Sequence, residues 1–293
     1  MNLLLHQGAL GDWVLTFPIL RALVGPTLAA SSWSKAKLAS RLFKHVQPID
    51  IDQPEWTRLH MAGGWNHVSN AFYQHLSDLR CLISFVHSES DNWAINIRMI
   101  HPKLTAFFVR PVPPSDWTGH ICDWHMHQLK QQGLHLDAPF STPRSNAAKA
   151  VTVIHPGSGS IDKAWPVDRF ERLLDALGAR GHLTKVLLGE VELDRWPKSM
   201  QQHWIDHYQA EPVTSLDRLV DVLSQAGAYL GNDSGPTHLA AQLGIPTIAL
   251  FGPTQPQTWA PQGPDVTILA PSSPQPMSWL TISDVLAAIN GSQ

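Results

Sequence analysis

With 293 residues, 43% hydrophobic and 15% charged, the chain can bury substantial cores and is too apolar for a disordered protein; its length predicts two domains of similar size. Its formal charge of -3 divides into +2 over residues 1–146 and -5 over 147–293, which excludes a strongly basic nucleic-acid binder. Two cysteines, Cys81 and Cys122, cannot build a disulfide framework and fit a reducing, cytoplasmic compartment.

The opening run, Asn2 to Leu5 followed by "GDWVLTFPILRALV", predicts a buried strand, a Gly turn and one amphipathic helix with Val14, Phe17, Leu20 and Leu23 on a shared face. It is not expected to be a signal peptide, because a positive leading region is missing and Asp12 interrupts the apolar run. No window offers the roughly 18 apolar residues of a membrane span. Strand-like segments follow at 27–33, 46–51, 81–86 and 105–109, with helices at 34–45 and 55–61, and a further helix is expected at 119–133. Residues 134–150, "LHLDAPFSTPRSNAAKA", have a linker's Pro, Ser and Asn content, so the domains are expected at 1–140 and 150–293. Beyond the linker come strands at 151–155, 184–188, 228–231 and 246–251 and helices at 167–180, 191–201, 215–225 and 235–243. Strands alternating with helices predict a parallel sheet covered on both faces.

Open parallel sheets collect ligands beyond the carboxyl ends of their strands, which directs attention to three loops. "GALGD" at 8–12 carries Gly8, Gly11 and Asp12. An acid there complements the helix dipole, and the same acid facing a cleft can act as a base. "HPGSGSIDKAWP" at 155–166 offers Ser158, Gly159 and Ser160, whose amides and hydroxyls suit phosphate oxygens, and Lys163 adds a compact cation. It is neither a P-loop nor a dinucleotide fingerprint. "GNDSGPTHLAAQLG" from 231 reads as a helix start: Asp233 or Ser234 caps, Pro236 suits the first turn and Gly244 ends the helix. The exposed amides at such a start form an anion site, although an ordinary capped helix has the same signature. Small Ala240 and Ala241 would let this helix approach the sheet closely.

Taken together, "GALGDWVLTFPILRAL", "HPGSGSIDKAWPVDRF", "LLGEVELD", "YLGNDSGPTHLAAQLGIPTIALFGPTQPQTWAP" and "SWLTISDVLAAI" resemble glycosyltransferase family 9, typified by ADP-heptose:lipopolysaccharide heptosyltransferases, in order and spacing. The resemblance implies an α/β GT-B fold: two Rossmann-like domains with parallel sheets facing across a cleft, the first binding the acceptor and the second the nucleotide-sugar donor. It implies inverting, metal-independent transfer of a heptose-like sugar to a glycan or glycolipid hydroxyl in cell-envelope polysaccharide or lipopolysaccharide synthesis, by a cytoplasmic enzyme touching the inner membrane face peripherally. No cofactor is expected beyond an ADP-heptose-like donor substrate. Asp12 is implied as the base and Lys163 as the diphosphate holder, with Ser158, Gly159 and Ser160 lining the phosphate pocket. Glu192 is implied at the ribose hydroxyls, and Asp233, Ser234, Gly235 and His238 at the diphosphate and donor sugar. A non-catalytic nucleotide-sugar or glycan-binding module and a nucleotide-sugar epimerase are the alternatives.

Residues 26–117 match no family motif, and acceptor recognition is expected there. Family members often have Arg where this chain has His6, two residues before Gly8, and the first half is only weakly basic, which argues against a phosphorylated acceptor. Trp33, Trp56, Trp65, Trp93, Trp117 and Trp124 belong to the core or stack on sugar faces. Asp50 and Asp52 mimic a metal motif without further ligands and read as a solvated strand end. His120 with Cys122, and His125 with His127, are each spaced by two, which points to different helix faces and away from a metal.

Overall fold

The computed structural model describes residues 1–137 and 150–291. Two compact units are present, Met1–Pro139 and Phe140–Gln293. Most of the expected linker, 138–149, lies outside the described residues.

The first unit runs β1 (Asn2–Leu5), α1 (Leu10–Val14), α2 (Phe17–Ala22), β2 (Thr27–Ser31), α3 (Trp33–Leu42), β3 (Val46–Asp50), α4 (Pro54–Arg58), α5 (Asn70–Ser77), β4 (Cys81–Ser84), α6 (Asn92–Ile100), β5 (Thr105–Phe108) and α7 (Ile121–Gln131). Its five strands are all parallel in the order β3-β2-β1-β4-β5. Central β1 is covered on both faces, so Leu3, Leu4 and Leu5 are all buried and no polar alternation appears. Pro48 is tolerated because β3 is an edge strand. Leu3, Leu5, Leu28, Leu82, Trp56, Trp93 and Ile97 share one core, each such side chain stabilising the unit by about 1.5–3 kcal/mol.

The second unit runs β6 (Thr152–His155), α8 (Val167–Gly178), β7 (Thr184–Leu188), α9 (Glu190–Arg195), α10 (Lys198–Tyr208), β8 (Glu211–Pro212), α11 (Leu216–Leu223), β9 (Ala228–Asn232), α12 (Gly235–Gln242), β10 (Thr247–Leu250), α13 (Pro256–Trp259), β11 (Val266–Leu269) and α14 (Ile282–Gly291). Its parallel sheet has the order β11-β10-β9-β6-β7-β8. Trp165, Phe170, Trp204, Leu230 and Leu250 anchor its core.

Two helices expected as single are each two. The first breaks between Val14 and Phe17, because Pro18 has no N–H to continue the ladder and Thr16 Oγ1 donates to the Trp13 carbonyl at 2.7 Å. Val14, Phe17, Leu20 and Leu23 are nonetheless all buried, as the apolar face required. The stretch 191–201 breaks at Pro197, and Gln201 Nε2 ties the pieces by donating to the carbonyls of Leu193 (3.0 Å) and Trp196 (2.8 Å). Trp56 and Trp93 are core residues, stacked with ring centroids 6.2 Å apart, whereas Trp33 and Trp65 are exposed.

Candidate functional site

In each unit the chain reverses its direction of strand addition beside the first strand, between β1 and β4 and between β6 and β9. The crevice outside the carboxyl ends at such a point is where open sheets bind ligands, and the loops predicted from the sequence leave the sheets there.

In the second unit the loop after β6 is stitched to the end of β9 by Asn232. Its Nδ2 donates to the carbonyls of Pro156 (2.7 Å) and Gly157 (3.3 Å), and its Oδ1 accepts from the Trp165 amide at 3.0 Å. Ser158 Oγ donates to the Asp233 carbonyl (3.2 Å), and Lys163 Nζ stands 2.7 Å from Asp233 Oδ2. Thr254, from the loop after β10, donates to the same oxygen at 2.8 Å, and His238 Nε2 lies 3.6 Å from Asp233 Oδ1. Burial alone would push the Asp233 carboxyl up; His238 and Lys163 more than reverse this and bring it down to about 2. The structure therefore gathers Ser158, Lys163, Asp233 and His238 into one cluster. Gly159 is held by Arg195, whose Nη1 donates to its carbonyl at 3.0 Å.

Helix α12 starts from this cluster. Ser234 is its N-cap, with Oγ 3.1 Å from Thr237 Oγ1, and Ala240 and Ala241 are fully buried against the sheet. Pro236 carries no amide hydrogen, so of residues 234–236 only Ser234 and Gly235 have backbone donors for an anion.

Glu192 is turned inward and only 1% exposed. Its Oε2 accepts from the Gly189 amide at 2.8 Å and lies 3.1 Å from His155 Nε2. Glycine at 157 makes room for this carboxylate, since a Cβ there would stand 1.9 Å from Oε1. A cavity of about 560 Å³ opens beside Lys163, lined by Ile161, Asp162, Pro166, Pro253, Pro276 and Met277, none of them among the site residues expected from the sequence.

In the first unit Asp12 is exposed in the first turn of α1. Gly8 folds against it: a Cβ on Gly8 would meet His6 Cε1 at 2.6 Å and Asp12 Oδ2 at 3.1 Å. His6 is buried between Trp13 and Phe85, and its Nδ1 accepts from the Gly8 amide at 3.1 Å. Burial, with the fields of Lys35 and His125, pushes its pKa down to about 3, so His6 is neutral at pH 7. The residues of 120–127 have separate local partners. His120 Nδ1 caps the Cys122 amide at 3.2 Å, Cys122 Sγ donates to the Leu15 carbonyl at 3.2 Å, and His125 Nε2 lies 3.2 Å from the Pro111 carbonyl.

Asn232, Thr254, Arg195, His155 and Lys35 were not singled out from the sequence. Asn232 lies inside a quoted motif and Thr254 in "FGPTQP", so position beside a strand end was the available signal. Nothing local marks Arg195, and Lys35 is marked only as a cation in the first turn of α3. Among the described residues no helix is long and apolar enough to cross a membrane.

Comparison with known proteins bears on the fold and the family. Lipopolysaccharide heptosyltransferase 3 of Escherichia coli is 25% identical over 294 residues, covering 86% of this chain and 83% of that protein. The structure of E. coli heptosyltransferase WaaC with ADP matches with a TM-score of 0.71 at 18% identity, covering 100% of this chain and 99% of that one. E. coli ADP-heptose lps heptosyltransferase II matches with a TM-score of 0.69 at 15% identity, over 100% and 98% of the two chains. These likenesses show the fold, two Rossmann-like units of the GT-B type. The sequence profile of glycosyltransferase family 9 (heptosyltransferase) matches residues 118–281, more than half of the chain, and the chain belongs to that family.

Proposed function

We propose that the protein is an inverting, metal-independent heptosyltransferase that moves a heptose-like sugar from an ADP-linked donor to a hydroxyl of a lipopolysaccharide-type glycan. The observation that carries this reading is the cluster of Lys163, Ser158 and Asp233 at the start of α12, where a cation and two backbone donors meet at a sheet's switch point. In the reaction the acceptor oxygen attacks the anomeric carbon from the face opposite the diphosphate, and the carbon–oxygen bond to the diphosphate breaks as the new one forms. Negative charge leaves with the diphosphate. Lys163 and the amides of Ser234 and Gly235 stabilise it electrostatically, without calling on a divalent ion. Asp12 takes the acceptor proton, a contribution of about 10²–10⁴-fold.

Within this reading the first unit, 1–140, holds the acceptor and the second, 150–293, the donor. Glu192 serves the ribose through Oε1, because Oε2 is bound to His155 and Gly189. His238 steers Asp233 toward the donor sugar. The enzyme works at the inner membrane face as a peripheral protein. The relatives whose names specify lipopolysaccharide and ADP-heptose support this choice of substrates.

The test is Asp12→Asn assayed with ADP-heptose and a de-acylated lipopolysaccharide core. Transfer should fall by two orders of magnitude or more, with ADP-heptose affinity within about twofold of wild type. Wild-type transfer should persist in EDTA and give the inverted anomer. Undiminished turnover by Asp12→Asn would remove the base from the scheme.

A further inference from the structure

Lys35 breaks a local rule. It sits in the first turn of α3, where the helix dipole favours an acid, and its side chain is half-buried. Rule-breaking residues of this kind concentrate at functional sites. The side chain crosses to the loop after β1, where Nζ donates to the Gly8 carbonyl at 2.5 Å and reaches the Gln7 carbonyl at 3.5 Å. The reverse tie is made by Trp13, whose indole Nε1 donates to the Lys35 carbonyl at 2.9 Å. Position 35 thus meets the chain on both sides of Asp12: the ammonium holds it before, at 7 and 8, and the backbone carbonyl, which any residue would supply, receives Trp13 after.

We infer that Lys35 is a positioning residue that clamps the 7–13 loop and sets the place of the Asp12 carboxylate. The inference rests on the reading of Asp12 as the base. Three observations support it. The two ties bracket Asp12 on both sides. Gly8, the residue held, is the one whose missing side chain allows Asp12 and His6 to close together. Lys35 also stands in the field of Asp12: burial pushes its pKa down, and Asp12 and Asp52 push it back up. A clamp acting through carbonyls leaves the Asp12 carboxylate itself free for an acceptor proton.

The experiment compares Lys35→Met, Lys35→Gln and Lys35→Arg with wild type and Asp12→Asn. Initial rates of ADP release are read with ADP-heptose and de-acylated lipopolysaccharide core, and amide hydrogen exchange is followed over residues 7–14. Lys35→Met should lose at least tenfold in kcat, keep the ADP-heptose KM within about twofold, and exchange faster over 7–14 but not over 156–163. Lys35→Arg, which restores a donor and a charge, should recover part of kcat. Unchanged kcat and unchanged exchange in Lys35→Met would overturn the inference even if Asp12→Asn is inactive. An active Asp12→Asn with a crippled Lys35→Met would instead sink the base reading while leaving the clamp. If Lys35→Met does not fold, Lys35→Gln supplies the same readouts; loss of the fold in both would also overturn the inference, because a positioning residue leaves its domain intact. Should wild type not use this donor and acceptor, the substrate reading fails and the exchange data alone decide.

Discussion

Lys163 Nζ and Asp233 Oδ2 stand 2.7 Å apart across seventy residues of sequence, and this pair joins the loop after β6 to the start of α12. The Asp233 carboxylate thus holds the ammonium that the proposed function assigns to the diphosphate. Lys163→Met should lower ADP affinity by about tenfold or more, the loss of one charge-assisted contact of about 1.5–3 kcal/mol. It should also leave Asp233 with His238 and Thr254 alone, destabilising the unit by about 1–3 kcal/mol in urea unfolding. Equal ADP affinity in the variant and wild type, by calorimetric titration, would mean that Lys163 is a structural ion-pair partner only.

Gly157 and Gly159 differ sharply in their surroundings. A Cβ at 157 would stand 1.9 Å from Glu192 Oε1, whereas nothing lies within 4 Å of one at 159. Gly157→Ala should drive Glu192 away from His155 and the Gly189 amide, at about 1–3 kcal/mol for buried groups left unpaired, and weaken ADP binding. Gly159→Ala should unfold within about 0.5 kcal/mol of wild type. Chemical denaturation of the two variants side by side checks the contrast.

Asn232 is buried and makes three hydrogen bonds that fasten residues 156–165 to β9. Asn232→Leu keeps the size and removes every bond, leaving the Pro156 carbonyl and the Trp165 amide unsatisfied. A loss of about 2–4 kcal/mol is expected, with most of the ADP affinity gone with it. Faster amide exchange at 157–165 in the variant would report the loosened loop directly.

The two units should respond to acid over different ranges. In the first, burial pushes His6 down to about 3, and His87 and His125 to about 4, from an ordinary 6.5. The unfolded chain therefore binds more protons between those values, so the stability these residues confer is full above pH 6.5 and drains as pH falls toward 4. In the second, Asp233 at about 2 against an ordinary 3.8 keeps its contribution above pH 4 and loses it only between about 4 and 2. Calorimetric scans should show the first unit melting earlier at pH 5 than at pH 7. His6→Asn, which keeps an acceptor for the Gly8 amide, should narrow that gap; an unchanged gap would assign the acid sensitivity elsewhere.

Much of this protein was legible before any coordinates. The alternation of strand and helix beyond residue 150 follows from local propensity and buried apolar runs, and β6, β7, β9 and β10 lie where the pattern put them. The apolar face of Val14, Phe17, Leu20 and Leu23 survives the break at Pro18, because burial depends on spacing and the break depends on one missing N–H. Edge strands β8 and β11 escaped notice: one is two residues long and the other only partly buried, so neither carries the apolar run that marks a central strand. Residue identity and position also pointed to Asp233, Lys163 and Ser158, since a polar turn beside a buried strand is a sequence-local signal.

Tertiary structure alone decided which of these residues meet. That Lys163 is held by Asp233, that Asn232 sews one loop to another strand, that Glu192 faces His155 through the gap left by Gly157, and that Lys35 grips the loop before Asp12 are all contacts between segments distant in sequence. Such partners are chosen by strand order in the sheet, which brings β6 beside β9 and β1 beside β2. Local propensity carries no information about that order, because the free energy that sets it comes from burying whole faces against one another.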